Sequence, residues 1–224
     1  MEKFKSELHY YLREKLWHHA IVLCTNELKQ ERDAYVSFWR SFAHSQEGNL
    51  IEAIRDAEPL QSSVDFKYSA TIALITYHNM YSTPDSVKID KLSTTELEYE
   101  SQCTASDIIN AMRFYSYLGD DEKYNDLNNK LVSLVGTSDP DPEEIIVKGW
   151  KCAMDTTSDS WSKGSEYFEK YIKEYGNENF DAVFGGIKCM ERKKEYDSIL
   201  DVYQTMTKLN NSFIPLHIER LKIY

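Results

Sequence analysis

His18 and His19, with His9 and Cys24 nearby in the chain, are the side chains whose types best suit metal binding. Imidazole nitrogens and thiolates are zinc ligands. Their spacing does not suit a site, because neighbours on a helix point about 100° apart. The i, i+4 pair of an H-E-x-x-H motif is also absent. Packing and surface polarity account for these histidines, so no metal and no cofactor is expected. Two acidic clusters could hold a cation or a basic peptide. Asp120-Asp121-Glu122 fits better as negative charge at a helix N-terminus. Asp139 to Glu144 fits a solvated loop, and neither cluster has the ligand spacing of an EF-hand. Cys24, Cys103, Cys152 and Cys189 are far apart with no C-x-x-C pairing. They read as small buried hydrophobes of a reducing compartment. No G-x-S-x-G, phosphate-cradling glycine loop or Cys/His signature is present. No catalytic residue is therefore assigned, and an enzyme is not expected.

Aromatic side chains offer binding in place of chemistry. Tyr35, Phe38, Trp39 and Phe42 give one helix more rings than a single hairpin needs. In a stack of helical hairpins the first helices line the concave face, so Tyr35, Phe38 and Phe42 are the candidate partner contacts. Core packing between the first and second hairpins explains the same spacing. Replacement by Ala separates the two readings: a partner contact loses binding, whereas a core ring loses stability.

Composition narrows the partners. The formal charge is −11, and Lys and Arg are dispersed, so neither nucleic acid nor an anionic membrane is expected to bind. Only 8 glycines and 5 prolines in 224 residues disfavour an all-β chain with its many tight turns. The first residues lack an apolar signal region, and no segment approaches about 18 consecutive apolar residues. An intracellular, soluble protein without a small-molecule substrate is the expectation.

The elements that position these residues are helices. Apolar residues recur at three- and four-residue spacing along almost the whole chain. In QEGNLIEAIRDAEPL, Gly48 closes one helix in the left-handed conformation, Leu50 plugs the turn, and small Ala53 lets the next helix lie close. The same order recurs as Trp17–Ala20, Trp161–Gly164 and Tyr196–Ile199. Ala20 and Ala53 lie 33 residues apart and Gly164 and Ile199 lie 35 apart, both close to the tetratricopeptide (TPR) period of about 34. Gly119 marks a further unit, with bulky Tyr124 in the small-residue slot. Expected hairpins span 3–31, 34–61, 66–101, 104–136, 143–175 and 179–209, followed by an unpaired helix over 212–224. The second half of the third hairpin, 84–103, is more polar and is the least defined. Residues 136–142 read as a loop, and the 155–160 loop supplies a Ser or Asp cap before Trp161. Gly185-Gly186 marks a close helix–helix approach. The fold class is all-α: a right-handed TPR-like solenoid of antiparallel hairpins, one repeat array over 1–224. Its end on an unpaired apolar helix suggests the N-terminal part of a longer protein.

Particular residues go beyond a generic repeat. YYLREKLWHHAIVL (Tyr10 to Leu23), with its paired His18-His19, is one such segment. FWRSFAHSQEGNLIEAIRD (Phe38 to Asp56) followed by SATIALITYHNMYSTPD (Ser69 to Asp85) is another. In order and spacing these resemble the N-terminal part of the tetratricopeptide repeat protein 21 family, the large TPR subunit of intraflagellar transport complex A. The resemblance covers essentially the whole chain and is weakest over 87–106 and 124–144. It implies a non-catalytic scaffold of retrograde ciliary transport and cilium assembly, at the cilium and its base. The implied partners are other complex A subunits. A peptide-binding TPR adaptor such as a co-chaperone is the alternative, although the Lys and Asn set that clamps an anionic C-terminus is not evident.

Overall fold

The computed structural model describes residues 2–136 and 139–223, and the described residues form helices without a strand. The helices are α1 (Glu2–Arg13), α2 (Trp17–Glu27), α3 (Ala34–Gln46), α4 (Leu50–Ala57), α5 (Lys67–Asn79), α6 (Ser86–Glu100) and α7 (Ala105–Leu118). They continue as α8 (Asp121–Val135), α9 (Pro142–Met154), α10 (Ser158–Tyr175), α11 (Phe180–Lys193), α12 (Tyr196–Leu209) and α13 (Ile214–Ile223). A 3₁₀ turn over Glu58–Ser62 extends α4. Most starts are set by the sequence itself. Asp33, Asp85, Thr104, Asp120, Asp141, Thr157 and Asn179 each accept a backbone N–H of the first turn that follows. The cap before Trp161 is thus Thr157, not the Ser or Asp expected, and α10 begins three residues before Trp161. Trp161 stands one turn inside its helix, unlike Trp17, Leu50 and Tyr196, which are first residues.

One turn is built four times. Lys15, Gly48, Gly119 and Lys194 all have positive φ, between 57° and 87°. In each case the next residue's N–H bonds the carbonyl five residues back: Leu16 to Tyr11, Asn49 to His44, Asp120 to Tyr115, and Glu195 to Met190, at 2.8–3.1 Å. This is the Schellman closure of a helix C-terminus. Two of the four positions hold Lys, which takes the left-handed conformation less readily than Gly.

The chain divides into two compact units, residues 11–138 and residues 1–10 with 139–224. In the first, α2 to α5 and then α7 and α8 pack in chain order, with α6 laid on α5. Its centre is aromatic: Phe38, Trp39, Phe42, Tyr77 and Phe114 are fully buried. Helix α6 is continuous across the segment that reads as least defined, and Asp85 caps it through the N–H of Lys88 at 3.1 Å. It buries only Leu92, which is why its pattern is hard to read.

In the second unit, α9, α10 and α11 pack around Phe168. A Cβ at Gly185 would lie 2.1 Å from the Phe168 ring and one at Gly149 2.8 Å, so both glycines form the slot that holds it. Gly186 only borders it, since its Cβ would lie 3.8 Å away. The close approach at Gly185-Gly186 therefore belongs to the first glycine. The start of α1 joins this unit through contacts distant in sequence. Ser6 Oγ donates to Asn179 Oδ1 (3.3 Å), Asn179 donates to Glu2 (2.8 Å), and Tyr10 OH donates to Glu219 (2.8 Å). Nearest-neighbour repeat packing does not anticipate these contacts. The sequence reading paired this helix with α2 alone, and Tyr11 does meet His19, at 5.5 Å between ring centroids. Of the 136–142 loop, Thr137 and Ser138 lie outside the described residues, as does Tyr224 of the expected last helix.

Candidate partner-binding groove

A groove of about 580 Å³ opens among α5, α6, α7 and α8. Its frame depends on a buried carboxylate. Helix α5 has no side-chain cap of its own. Asp107, on α7, supplies one from across the interface, accepting the N–H groups of Tyr68 and Ser69 at 2.8 Å each. Two of the orphan donors at the start of α5 are thereby satisfied, and α5 is fixed to α7. Burial pushes the Asp107 carboxyl above its ordinary value, against the opposing pull of these hydrogen bonds.

The groove floor is apolar, with Ile72 and Ile75 from α5 and Leu127 from α8. Met80 and Leu97 at the rim are 44% and 69% exposed. Its α6 wall carries Glu96 and Glu100, and its α8 wall carries Lys123 and Lys130 with Asp126 between them. Lys130 lies 4.7 Å from the centroid of Tyr68 and 3.3 Å from the Glu100 carboxylate. Lys123 sits 5.1 Å from the centroid of Tyr115. Both are cation–π placements that hold an ammonium beside a ring, and Lys130 also donates to the Glu100 carbonyl at 2.8 Å. Burial raises the pKa of Glu96, only partly opposed by Lys123 and Lys130, and burial also raises Tyr68 and Tyr115. The groove can take up an apolar surface bordered by charges of either sign.

The aromatic candidates lie elsewhere. Phe38 and Phe42 are 0% exposed, and both pack on Phe114, with ring centroids 6.1 and 5.3 Å away. Phe38 also meets Phe66, and Phe42 meets Trp17 and Tyr117. These two rings are core, as their helical spacing equally allowed, and offer a partner no surface. Tyr35 is half-buried, and its hydroxyl accepts from Arg113 at 3.4 Å. None of the three lines the groove. Its walls escaped the sequence reading because they belong to the polar helix α6 and the exposed side of α8. The only signal was Leu97 standing among charges.

The remaining candidates are structural. His18 and His19 are exposed on α2, and His18 Nδ1 lies 3.5 Å from Glu47. Among the described residues no group of three or more His, Cys, Asp or Glu is placed to hold a metal ion. Asp120 caps α8, with Asp121 and Glu122 in its first turn. The 139–144 cluster is only partly loop: Asp141 caps α9, and Glu144 is buried beside Lys148 at 2.6 Å. All four cysteines are free thiols, and burial pushes Cys24 up to about 12, which makes it unreactive.

Consecutive packed helices, closed by a recurring turn, define a helical-repeat protein. The chain belongs to the tetratricopeptide repeat protein 21 family, whose N-terminal ARM repeat model matches residues 8–224. It is 22% identical to human tetratricopeptide repeat protein 21B over 99% of this chain and 17% of that protein. It is 24% identical to the mouse protein over 98% of the chain and 16% of its relative. The tetratricopeptide repeat protein 21 homolog of Caenorhabditis briggsae is also 24% identical, over 97% and 16%. The chain thus spans about a sixth of the length of these relatives. No helix among the described residues is long and apolar enough to cross a membrane.

Proposed function

We propose that the chain is a non-catalytic scaffold whose α5–α8 groove receives an apolar helix face from another protein subunit. Its setting is intraflagellar transport complex A, in retrograde ciliary transport and cilium assembly, at the cilium and its base. The family resemblance supports that setting. The observation that carries the binding mode is the groove itself: an apolar floor between an acidic wall and a wall of mixed charge, with Met80 and Leu97 already exposed at its rim. Contacts of this kind exclude water over the floor while the paired charges fix register at the edge.

Co-purification from ciliated cells tests the reading. The tagged chain is compared with a Met80→Glu/Leu97→Glu variant, whose exposed positions leave the helical fold intact by circular dichroism. Complex A subunits are expected with the parent chain and lost with the variant. Equal recovery, or none with either chain, contradicts the proposal.

A further inference from the structure

A second cleft runs against the charge of the chain. It measures about 670 Å³ and lies between the end of α2, the start of α3, and α4 with its 3₁₀ extension. Lys29, Arg32, Arg40 and Arg55 line it against only Asp33 and Asp56, a local excess of two positive charges in a chain of formal charge −11. Both carboxylates are already engaged. Asp33 caps α3, accepting the N–H of Val36 at 3.1 Å. Asp56 takes both prongs of Arg40, at 2.6 and 2.8 Å, and so ties α3 to α4.

Of the other cations, only Lys29 and Arg32 have no carboxylate partner among the described residues. Arg55 pairs with Glu52 on the exposed side of α4. Lys29 donates only to the neutral amide oxygen of Asn26, at 3.1 Å. Arg32 makes no hydrogen bond or ion pair among the described residues. The dipole at the end of α2 favours a nearby cation. Arg40 and Arg55 reach the same cleft from α3 and α4, each held by its own carboxylate. Leu28 and Pro59 add apolar surface beside them.

We propose that this cleft binds an acidic peptide segment of a partner protein. Lys29 and Arg32 anchor its carboxylates, Arg55 joins them at the rim, and Arg40 stays fixed as part of the wall. Guanidinium suits a carboxylate because its planar fork donates two parallel hydrogen bonds. The site is independent of the α5–α8 groove and shares no residue with it.

The test is isothermal titration of the chain with a short Asp/Glu-rich peptide and with its Asn/Gln counterpart. A chain of net charge −11 repels an acidic peptide at long range, so binding requires a local site. The acidic peptide is expected to bind, its neutral counterpart is not, and Lys29→Gln/Arg32→Gln weakens binding by about tenfold. Both residues are exposed, so helicity and thermal midpoint should stay unchanged. Met80→Glu/Leu97→Glu should leave this binding intact. Failure of the acidic peptide to bind, equal binding of the neutral peptide, or unchanged affinity in the double variant overturns the assignment.

Discussion

The two units both pack aromatic rings, and they differ in how one central ring is seated. In residues 11–138 large rings meet large rings, with Phe38, Phe42 and Phe114 joined by Trp39, Tyr77 and Tyr117. The unit built on 139–224 also pairs rings, with Phe180 and Phe184 each meeting Phe213, but there Phe168 sits in a slot made by glycines of the helices on either side. The first arrangement fills space with side chains and holds the helices apart. The second removes side chains so that backbones approach. An aromatic core is therefore damaged by making residues smaller, and a glycine slot by making them larger.

Phe38→Ala should have the largest effect. It empties a fully buried ring site and is expected to destabilise the 11–138 unit by about 3–5 kcal/mol, read by denaturant unfolding. A small loss of stability with a large loss of partner binding would instead return Phe38 to the surface. Gly185→Ala comes next, at about 2–3 kcal/mol, because its Cβ must displace the Phe168 ring. Gly186→Ala is the internal control. It meets nothing closer than 3.8 Å and should be neutral, or stabilising by up to about 1 kcal/mol through helix propensity. Equal destabilisation by both variants would dissolve the slot.

Asp107→Ala is expected to cost about 1–2 kcal/mol, because it leaves two buried N–H groups of α5 without an acceptor. Hydrogen exchange at Tyr68 and Ser69 should rise in this variant before the rest of its unit is affected. Glu96→Gln has the smallest effect and reverses the sign. Burial raises the Glu96 pKa above its ordinary 4.5, so the folded chain binds this proton more tightly than the unfolded chain does. Its ionised form therefore opposes folding above the raised pKa, and that penalty is relieved as pH falls towards 4.5. The variant should be more stable than the parent near neutral pH, and the difference should shrink on acidification. A difference that grows on acidification would contradict the placement of Glu96 in a poorly solvated wall.

Much of this was legible in the sequence, though unevenly. The helical class follows from periodicity, and the start of α8 from the acidic cluster at Asp120, which caps it. Gly48 and Gly119 announce the recurring turn because their residue type favours positive φ. Lys15 and Lys194 adopt the same turn without a glycine, and there only the plug residues that follow, Trp17 and Tyr196, mark it. The close approach at Gly185-Gly186 was visible, but which glycine faces a ring depends on where Phe168 packs. The contacts of Ser6 and Tyr10 with Asn179 and Glu219 had no local trace, because side chains so far apart in sequence leave no periodic pattern. The groove was hidden for a related reason. Four helices build it, and no one of them carries a motif.

Placing a photo-crosslinking amino acid at position 97, on the groove rim, and in parallel at Ile51, which is 75% exposed outside it, tests the central claim most directly. Irradiation in ciliated cells should join position 97 to complex A subunits that co-purify with the chain, and leave position 51 unjoined. Adducts of equal yield at both positions, or none at position 97, would contradict the groove as the surface on which this scaffold receives its partner.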